Sequence, residues 1–287
     1  MTLDTDRKIL KQLDEWSQGE GGLPHPLLFY RAVLDIQIAA SSQIGETPPH
    51  LSEEVRKRRL KAGRPLASFT TLPVTWAQAK VVSQQVIAKV IEYYPERAVD
   101  ARGVKRYLSK TTQMKKAARP WYENRELAPL LADGDVHEGL LAFLLLATLQ
   151  PFLKAIAEAW KPDIDQELWR RGYCPLCGGI PDFSFLEKEV GGRWLLCSRC
   201  DTEWQFPRLA CPFCNTRNQR SISYLTDEGG RYRLYRCEEC HTYIKTVDLR
   251  KRQSDIVIPL ERVLTVDMDR QAQEKGYAAG WAIYPSP

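Results

Sequence analysis

The chain has 287 residues with an ordinary apolar share of 44%, enough for two domains and a sizeable core. Against 36 Asp and Glu, 41 Lys and Arg leave a net charge of +5 and a pI near 8.7, short of a dedicated nucleic-acid binder. The opening Met1-Thr2-Leu3-Asp4-Thr5-Asp6-Arg7 has neither an apolar signal core nor a twin-arginine motif, so the expected compartment is the cytoplasm.

Residues 1–20 predict a short amphipathic helix, because Ile9, Leu10, Leu13 and Trp16 recur at helical spacing; Gly21-Gly22-Leu23-Pro24 stops it. Helix resumes over 27–44. In 53–61 the acids Glu53 and Glu54 precede Arg56, Lys57, Arg58, Arg59 and Lys61, an order that suits the helix dipole. A solvated helix face is the preferred reading of that charge run over a basic patch for an acidic partner. Residues 63–73 read as an extended linker. Helices are then expected over 75–94, stopped by Pro95, over 104–118, broken by Ala118-Arg119-Pro120, and briefly over 124–133. A last helix covers 136–160. Its apolar run is shorter than the roughly 18–20 residues that span a bilayer, and Pro151 is expected to kink it, so it reads as a buried core helix. Residues 1–165 thus form an expected all-α domain.

All eight cysteines fall between Cys174 and Cys240, as four C-x-x-C pairs: Cys174/Cys177, Cys197/Cys200, Cys211/Cys214 and Cys237/Cys240. A two-residue gap lets one tight turn aim two thiolates at a point, and two such turns complete a tetrahedral metal site. Disulfide chemistry and unliganded thiols are the competing readings. Gly178, Asp201, Asn215 and His241 follow the second cysteines; these are the residue types that tolerate the left-handed conformation such a turn needs. For His241 a turn role is preferred to a ligand role.

The stretch repeats itself. Cys174-Pro175-Leu176-Cys177 and Cys211-Pro212-Phe213-Cys214 open the halves; Cys197-Ser198-Arg199-Cys200-Asp201-Thr202 and Cys237-Glu238-Glu239-Cys240-His241-Thr242 close them. Gly191-Gly192 and Gly229-Gly230 supply hairpin turns. The economical fold is a multihelical N-terminal domain followed by two tandem rubredoxin-like ribbons, 171–205 and 206–250, with a C-terminal helix and tail over 251–287. In that pairing Cys174, Cys177, Cys197 and Cys200 make one site, and Cys211, Cys214, Cys237 and Cys240 the other; a cross-braced pairing stays open. Closed four-sulfur sites leave no position for substrate, which marks the ions as structural or at most electron-carrying, and zinc and iron both accept such ligands. Helix is expected over 260–276 with Gly276 as its cap, and the tail 281–287 is expected to be ordered only in part. No P-loop, dinucleotide fingerprint, zincin motif or nucleophile elbow occurs, so no catalytic residue and no organic-cofactor site is assigned.

The run Gly172-Tyr173-Cys174-Pro175-Leu176-Cys177-Gly178, with Arg193-Trp194-Leu195-Leu196-Cys197 and Cys200-Asp201-Thr202-Glu203-Trp204, resembles the FdhE family of formate dehydrogenase accessory proteins. The likeness continues through Arg208 and Cys211 to Cys237–Lys245, Leu264 and Glu274-Lys275-Gly276-Tyr277; earlier it is confined to Pro26–Phe29 and Gly63-Arg64-Pro65-Leu66. His241 stands where the family more often has Gly, and Gly179 where Ser is usual. The resemblance implies a cytoplasmic, chaperone-like assembly factor that binds iron and takes the catalytic subunit of a formate dehydrogenase as its partner. The competing functions are a zinc-ribbon nucleic-acid binder, motivated by Arg199, Arg208, Arg217, Arg220, Arg231, Arg233 and Arg236 but opposed by interspersed acids, and a redox protein. Membrane insertion is not expected. Trp204, Tyr235 and Tyr243 are candidate client anchors, although each taken singly reads first as ribbon packing.

Overall fold

A computed structural model describes residues 2–45, 48–123, 127, 131, 136–252 and 255–280. The chain divides into two compact units. One comprises residues 1–49 and 69–159, the other residues 50–68 and 160–285, with residues 286 and 287 divided between them. Residues 50–68 therefore belong with the cysteine region, although they lie within the helical half of the sequence.

The first unit holds α1 (Thr2–Ser17), α2 (His25–Ser41), α4 (Trp76–Tyr93), α5 (Ala98–Tyr107), α6 (Thr111–Tyr122) and α7 (Glu138–Trp160), whose last residue falls in the second unit. Pro24 ends the turn before α2, and Pro26 sits in its first turn, where a missing N–H costs nothing. Leu141, Leu144, Leu149, Phe152, Leu153 and Ile156 of α7 are buried, as are Val82, Val86 and Val90 of α4 and Ile9 and Leu13 of α1. Helix α7 is long and apolar enough to cross a membrane by length and composition, yet 67% of its most apolar window is buried inside the protein. Its polar positions are used internally: Lys154 Nζ donates to Asp6 at 2.8 Å, and Ala147 O accepts from Gln37 Nε2 at 2.8 Å.

Two boundaries differ from expectation. The single helix over 104–118 is two helices, and Pro120 lies inside α6 instead of ending it. The break falls at 108–110, where Leu108 N–H closes α5 on Val104 O and Met114 N–H opens α6 on Lys110 O. Val104, Leu108 and Met114 are all buried, so the apolar rhythm runs across the break without marking it. The short helix expected over 124–133 and the tail 281–287 lie outside the described residues, apart from Leu127 and Leu131.

The second unit is a sheet with α3 (Glu53–Lys61), α8 (Ile258–Leu264) and α9 (Val266–Glu274). Ser52 caps α3, and its acids and bases occupy first and last turns as the dipole favours. Ribbon one contributes β1 (Pro181–Leu186), β2 (Arg193–Cys197) and β3 (Glu203–Phe206); ribbon two contributes β4 (Ile222–Thr226), β5 (Tyr232–Cys237) and β6 (Thr242–Asp248). Within each ribbon neighbours are antiparallel. The two ribbons fuse because β1 pairs in parallel with β6, Phe183 opposite Lys245 and Leu186 opposite Asp248, giving the order β3-β2-β1-β6-β5-β4. A short β7 (Ala278–Ala279) pairs with the start of β6. Phe183, Phe185, Leu196 and Val247 form one buried cluster of the sheet; Leu234, Tyr243, Ala272 and Ala279 form another beneath α9.

The helix expected over 260–276 is likewise two, α8 and α9. It ends as expected: Gly276 takes φ +82°, its N–H bonds Gln273 O at 2.9 Å, and Tyr277 N–H bonds Ala272 O at 3.1 Å. That paired closure is a Schellman motif, which turns the chain toward β7.

Candidate metal centres

Each cysteine pair occupies a tight turn at the end of a strand or just before one. At the opening of ribbon one, Gly178 N–H bonds Cys174 O at 3.0 Å and Cys174 N–H bonds Gly179 O at 2.8 Å; at its close Cys197 N–H bonds Thr202 O at 2.9 Å. Ribbon two repeats the opening with Asn215 N–H to Cys211 O and Cys211 N–H to Thr216 O, both 3.0 Å. Gly178, Asp201, Asn215 and His241 all have positive φ, and the last three are the non-glycine residues that do so among the described residues. His241 is thus a turn residue. Its carbonyl accepts from Ala278 N–H at 2.7 Å, and its ring lies 6.3 Å from that of Tyr277.

The sulfurs assemble as Cys174, Cys177, Cys197, Cys200 and as Cys211, Cys214, Cys237, Cys240, and each group could hold a metal ion. The tandem grouping, not the cross-braced one, is what the fold brings together. Sγ separations are 3.7 Å for Cys174–Cys200, 3.5 Å for Cys177–Cys197 and Cys177–Cys200, and 3.7 Å for Cys211–Cys240 and Cys214–Cys237. Sulfurs ~2.3 Å from a tetrahedral ion stand about 3.8 Å apart. A disulfide would need ~2.05 Å. All eight cysteines are free thiols, at the spacing an ion would impose.

Donors already point at the sulfurs, as thiolates require. Leu176, Gly179, Arg199 and Phe213 N–H groups reach Cys174, Cys177, Cys197 and Cys211 Sγ, each at 3.4 Å. The threonine that recurs two places after each closing cysteine has a role that its repetition alone did not reveal. Thr202 Oγ1 lies 3.1 Å from Cys200 Sγ, and Thr242 Oγ1 lies 2.9 Å from Cys240 Sγ. Burial pushes the Cys174 and Cys211 thiols well up, and Cys214 up to about 11. Burial also acts upward on Cys240, but bonds from Thr242 and the neighbouring thiols outweigh it and hold that group below the ordinary value.

The two sites differ in cover. Cys174, Cys177, Cys197 and Cys200 are all buried, whereas Cys214 is exposed and Cys240 half-buried. Site one is covered by the segment expected to be a linker: Leu66 and Ala67 N–H groups bond Pro175 and Leu176 O, each at 2.8 Å, and Tyr173 Oη donates to Gly63 O at 2.8 Å. Arg262 of α8 adds a clamp, pairing with Asp201 and with Asp182. Site two has Tyr277, whose Oη donates to Glu238 Oε1 at 2.6 Å. None of these partners was legible in the cysteine spacing.

The proposed anchors are not at the surface. Trp204 is fully buried with Nε1 donating to Arg171 O at 2.8 Å, and Tyr235 and Tyr243 are buried as well. Trp204 takes a buried position of the alternating β3, Tyr235 ends a run of three buried residues in β5, and Tyr243 lies in β6, buried along its whole length. Three of the seven ribbon arginines are similarly engaged: Arg233 pairs with Asp248 at 2.6 Å, Arg199 is buried, and Arg236 lies 5.3 Å from the Tyr277 ring centre; Arg217, Arg220 and Arg231 are exposed.

Residues 173–208 match the family model described as FdhE, central domain. An FdhE homolog of Aquifex aeolicus is 34% identical over 163 residues, 54% of this chain and 56% of that protein. Protein FdhE of Escherichia coli strain K12 is 29% identical over 111 residues, 38% of this chain and 36% of that protein. The matched stretches thus span about half and about a third of those relatives. The crystal structure of the FdhE protein from Pseudomonas aeruginosa is similar in fold, with a TM-score of 0.61 at 20% identity over 99% of this chain and 93% of that one.

Proposed function

We propose that the chain is a member of the FdhE family and, from that premise, a non-enzymatic assembly factor for the catalytic subunit of a formate dehydrogenase. The observation that carries the reading is the pair of closed four-sulfur groups embedded in one fused sheet. Cys174, Cys177, Cys197 and Cys200 would hold one ion, and Cys211, Cys214, Cys237 and Cys240 a second. With all four ligands supplied by protein, each ion ties its turns together and has no position for substrate. Iron and zinc both suit the donor set. Reduced thiols fit a cytoplasmic setting.

The client surface is not Trp204, Tyr235 or Tyr243, which are buried. Exposed apolar side chains on the ribbons, Leu209 and Tyr224, take their place as candidate anchors. The nucleic-acid reading is weakened because Arg199, Arg233 and Arg236 serve internal contacts, which leaves Arg217, Arg220 and Arg231 as its exposed bases. The test is affinity purification of the tagged chain from its native host, with formate dehydrogenase activity measured after its deletion. Recovery of the catalytic subunit and a fall in activity are expected. Failure to recover that subunit, with activity unchanged on deletion, would overturn the proposal.

A further inference from the structure

Arg193, the first residue of β2, is a cation in an unusual place. Its side chain is 2% exposed, Nη1 donates to Ala210 O at 3.3 Å, and the guanidinium carbon lies 4.1 Å from the centre of the Tyr235 ring. Nε and Nη2 are buried and have no hydrogen-bond partner among the described residues. Among the buried cations, Lys154, Arg233 and Lys245 each face a carboxylate at 2.6–2.8 Å. No carboxylate lines the small cavity that Arg193 shares with Cys211 and Cys237; Arg236, which also lines it, donates to Ser223 Oγ at 3.1 Å and lies over the Tyr277 ring. A buried charge without a counter-charge is strongly unfavourable. Burial accordingly lowers the Arg193 pKa, with the Tyr235 and Cys211 groups acting in the opposite direction.

The anion in reach is sulfur. Four thiolates around a divalent ion make a dinegative complex, and metal-free protonated thiols make none. We propose that Arg193 is the counter-charge of the second site: a residue of ribbon one, buried beside Cys211 and Cys237, that partly neutralises the loaded tetrathiolate and so strengthens its hold on a divalent ion. The sharing of one residue across the ribbons is built into the backbone. A Cβ at Gly172, just before the first cysteine turn, would stand 1.7 Å from Pro212 O in the third. That close approach keeps the opening turn of site two against ribbon one. The proposal rests on the reading that the second cysteine group holds an ion.

The test compares wild type with Arg193→Met and Arg193→Lys, titrated with Co(II) against a chelator, with thiolate absorption counting the loaded sites. Wild type is expected to load two ions. Arg193→Met should load the first like wild type and bind the second about 10–100-fold more weakly, the usual effect of losing a supporting partner of a metal site. Arg193→Lys should recover most of that loss. Melting curves add a readout that packing alone would not give. Arg193→Met should depress the melting temperature more in loaded than in metal-free protein, by roughly 3–10 °C, the thermal equivalent of that affinity loss. Second-ion affinity unchanged in Arg193→Met, a lysine variant as weak as the methionine one, or equal thermal penalties with and without metal would each overturn the proposal. Should Arg193→Met not fold, Arg193→Gln carries the same comparison against lysine. A wild-type chain that loads only one ion overturns the metal reading itself, whatever the variants do.

Discussion

The two ribbons carry the same motif in the same order, with a left-handed residue at the same place in each turn and the same threonine on the closing sulfur, yet one site is sealed and the other is not. Ribbon one has four buried cysteines beneath the 66–67 backbone and the Arg262 clamp. Ribbon two leaves Cys214 exposed and Cys240 half-buried. Ligand geometry is therefore set locally by the C-x-x-C turn, whereas access to the ion is set by what distant segments lay over it. The difference teaches that equal donor sets need not give equal exchange.

The largest effect expected from this contrast is on folding. Cys174→Ser should lose the first ion and the soluble protein with it, because a fully buried site supplies folding free energy directly, while Cys214→Ser should leave a folded chain holding about one ion in place of about two. Metal analysis of soluble protein checks this, and equal yields of the two variants would erase the distinction. Next comes exchange. A chelator should strip the second ion at least about tenfold faster than the first, since attack on a metal–thiolate requires access. Stopped-flow absorbance should resolve two phases, and a single phase of full amplitude would break the comparison. Acid should release both ions: burial holds Cys174 and Cys214 above the ordinary thiol value, so protons compete for the sulfurs and loading falls as pH falls.

A smaller effect sharpens the cause. Ala67→Pro removes the N–H that reaches Leu176 O and should cost about 1–3 kcal/mol of stability, the penalty for leaving a buried acceptor unpaired. It should also speed release from site one while sparing site two; faster release from both would mean that the segment is not a specific cover. The smallest expected effect is that of Thr242→Val, which removes one hydroxyl from Cys240 Sγ and should cost about 0.5–1.5 kcal/mol, confined to site two. Thr202→Val is its counterpart at site one, read by the same melting and exchange measurements.

What could be read from residue order was local. The left-handed residues after each second cysteine, the glycine hairpins and the Gly276 closure all follow from constraints within a few positions. The misses have a common physical origin in long-range packing. Leu66 and Ala67 bind a turn more than a hundred residues later, and nothing in Gly63-Arg64-Pro65-Leu66 distinguishes a cover from a linker. The parallel pairing of β1 with β6 joins segments whose own patterns fit either separate ribbons or one sheet. Trp204, Tyr235 and Tyr243 looked available because aromatics suit both interfaces and sheet interiors, and burial is decided by the facing layer. The break between α5 and α6 was invisible because the apolar residues on both sides are buried.

The central claim is that eight sulfurs close around two ions. X-ray absorption at the metal edge, on protein purified without oxygen, tests it most directly. The expected result is two ions per chain, each with four sulfur neighbours at about 2.3 Å and no lighter atom in the coordination shell. An oxygen or nitrogen ligand at either ion, or a chain without metal whose cysteines are bridged, would contradict it.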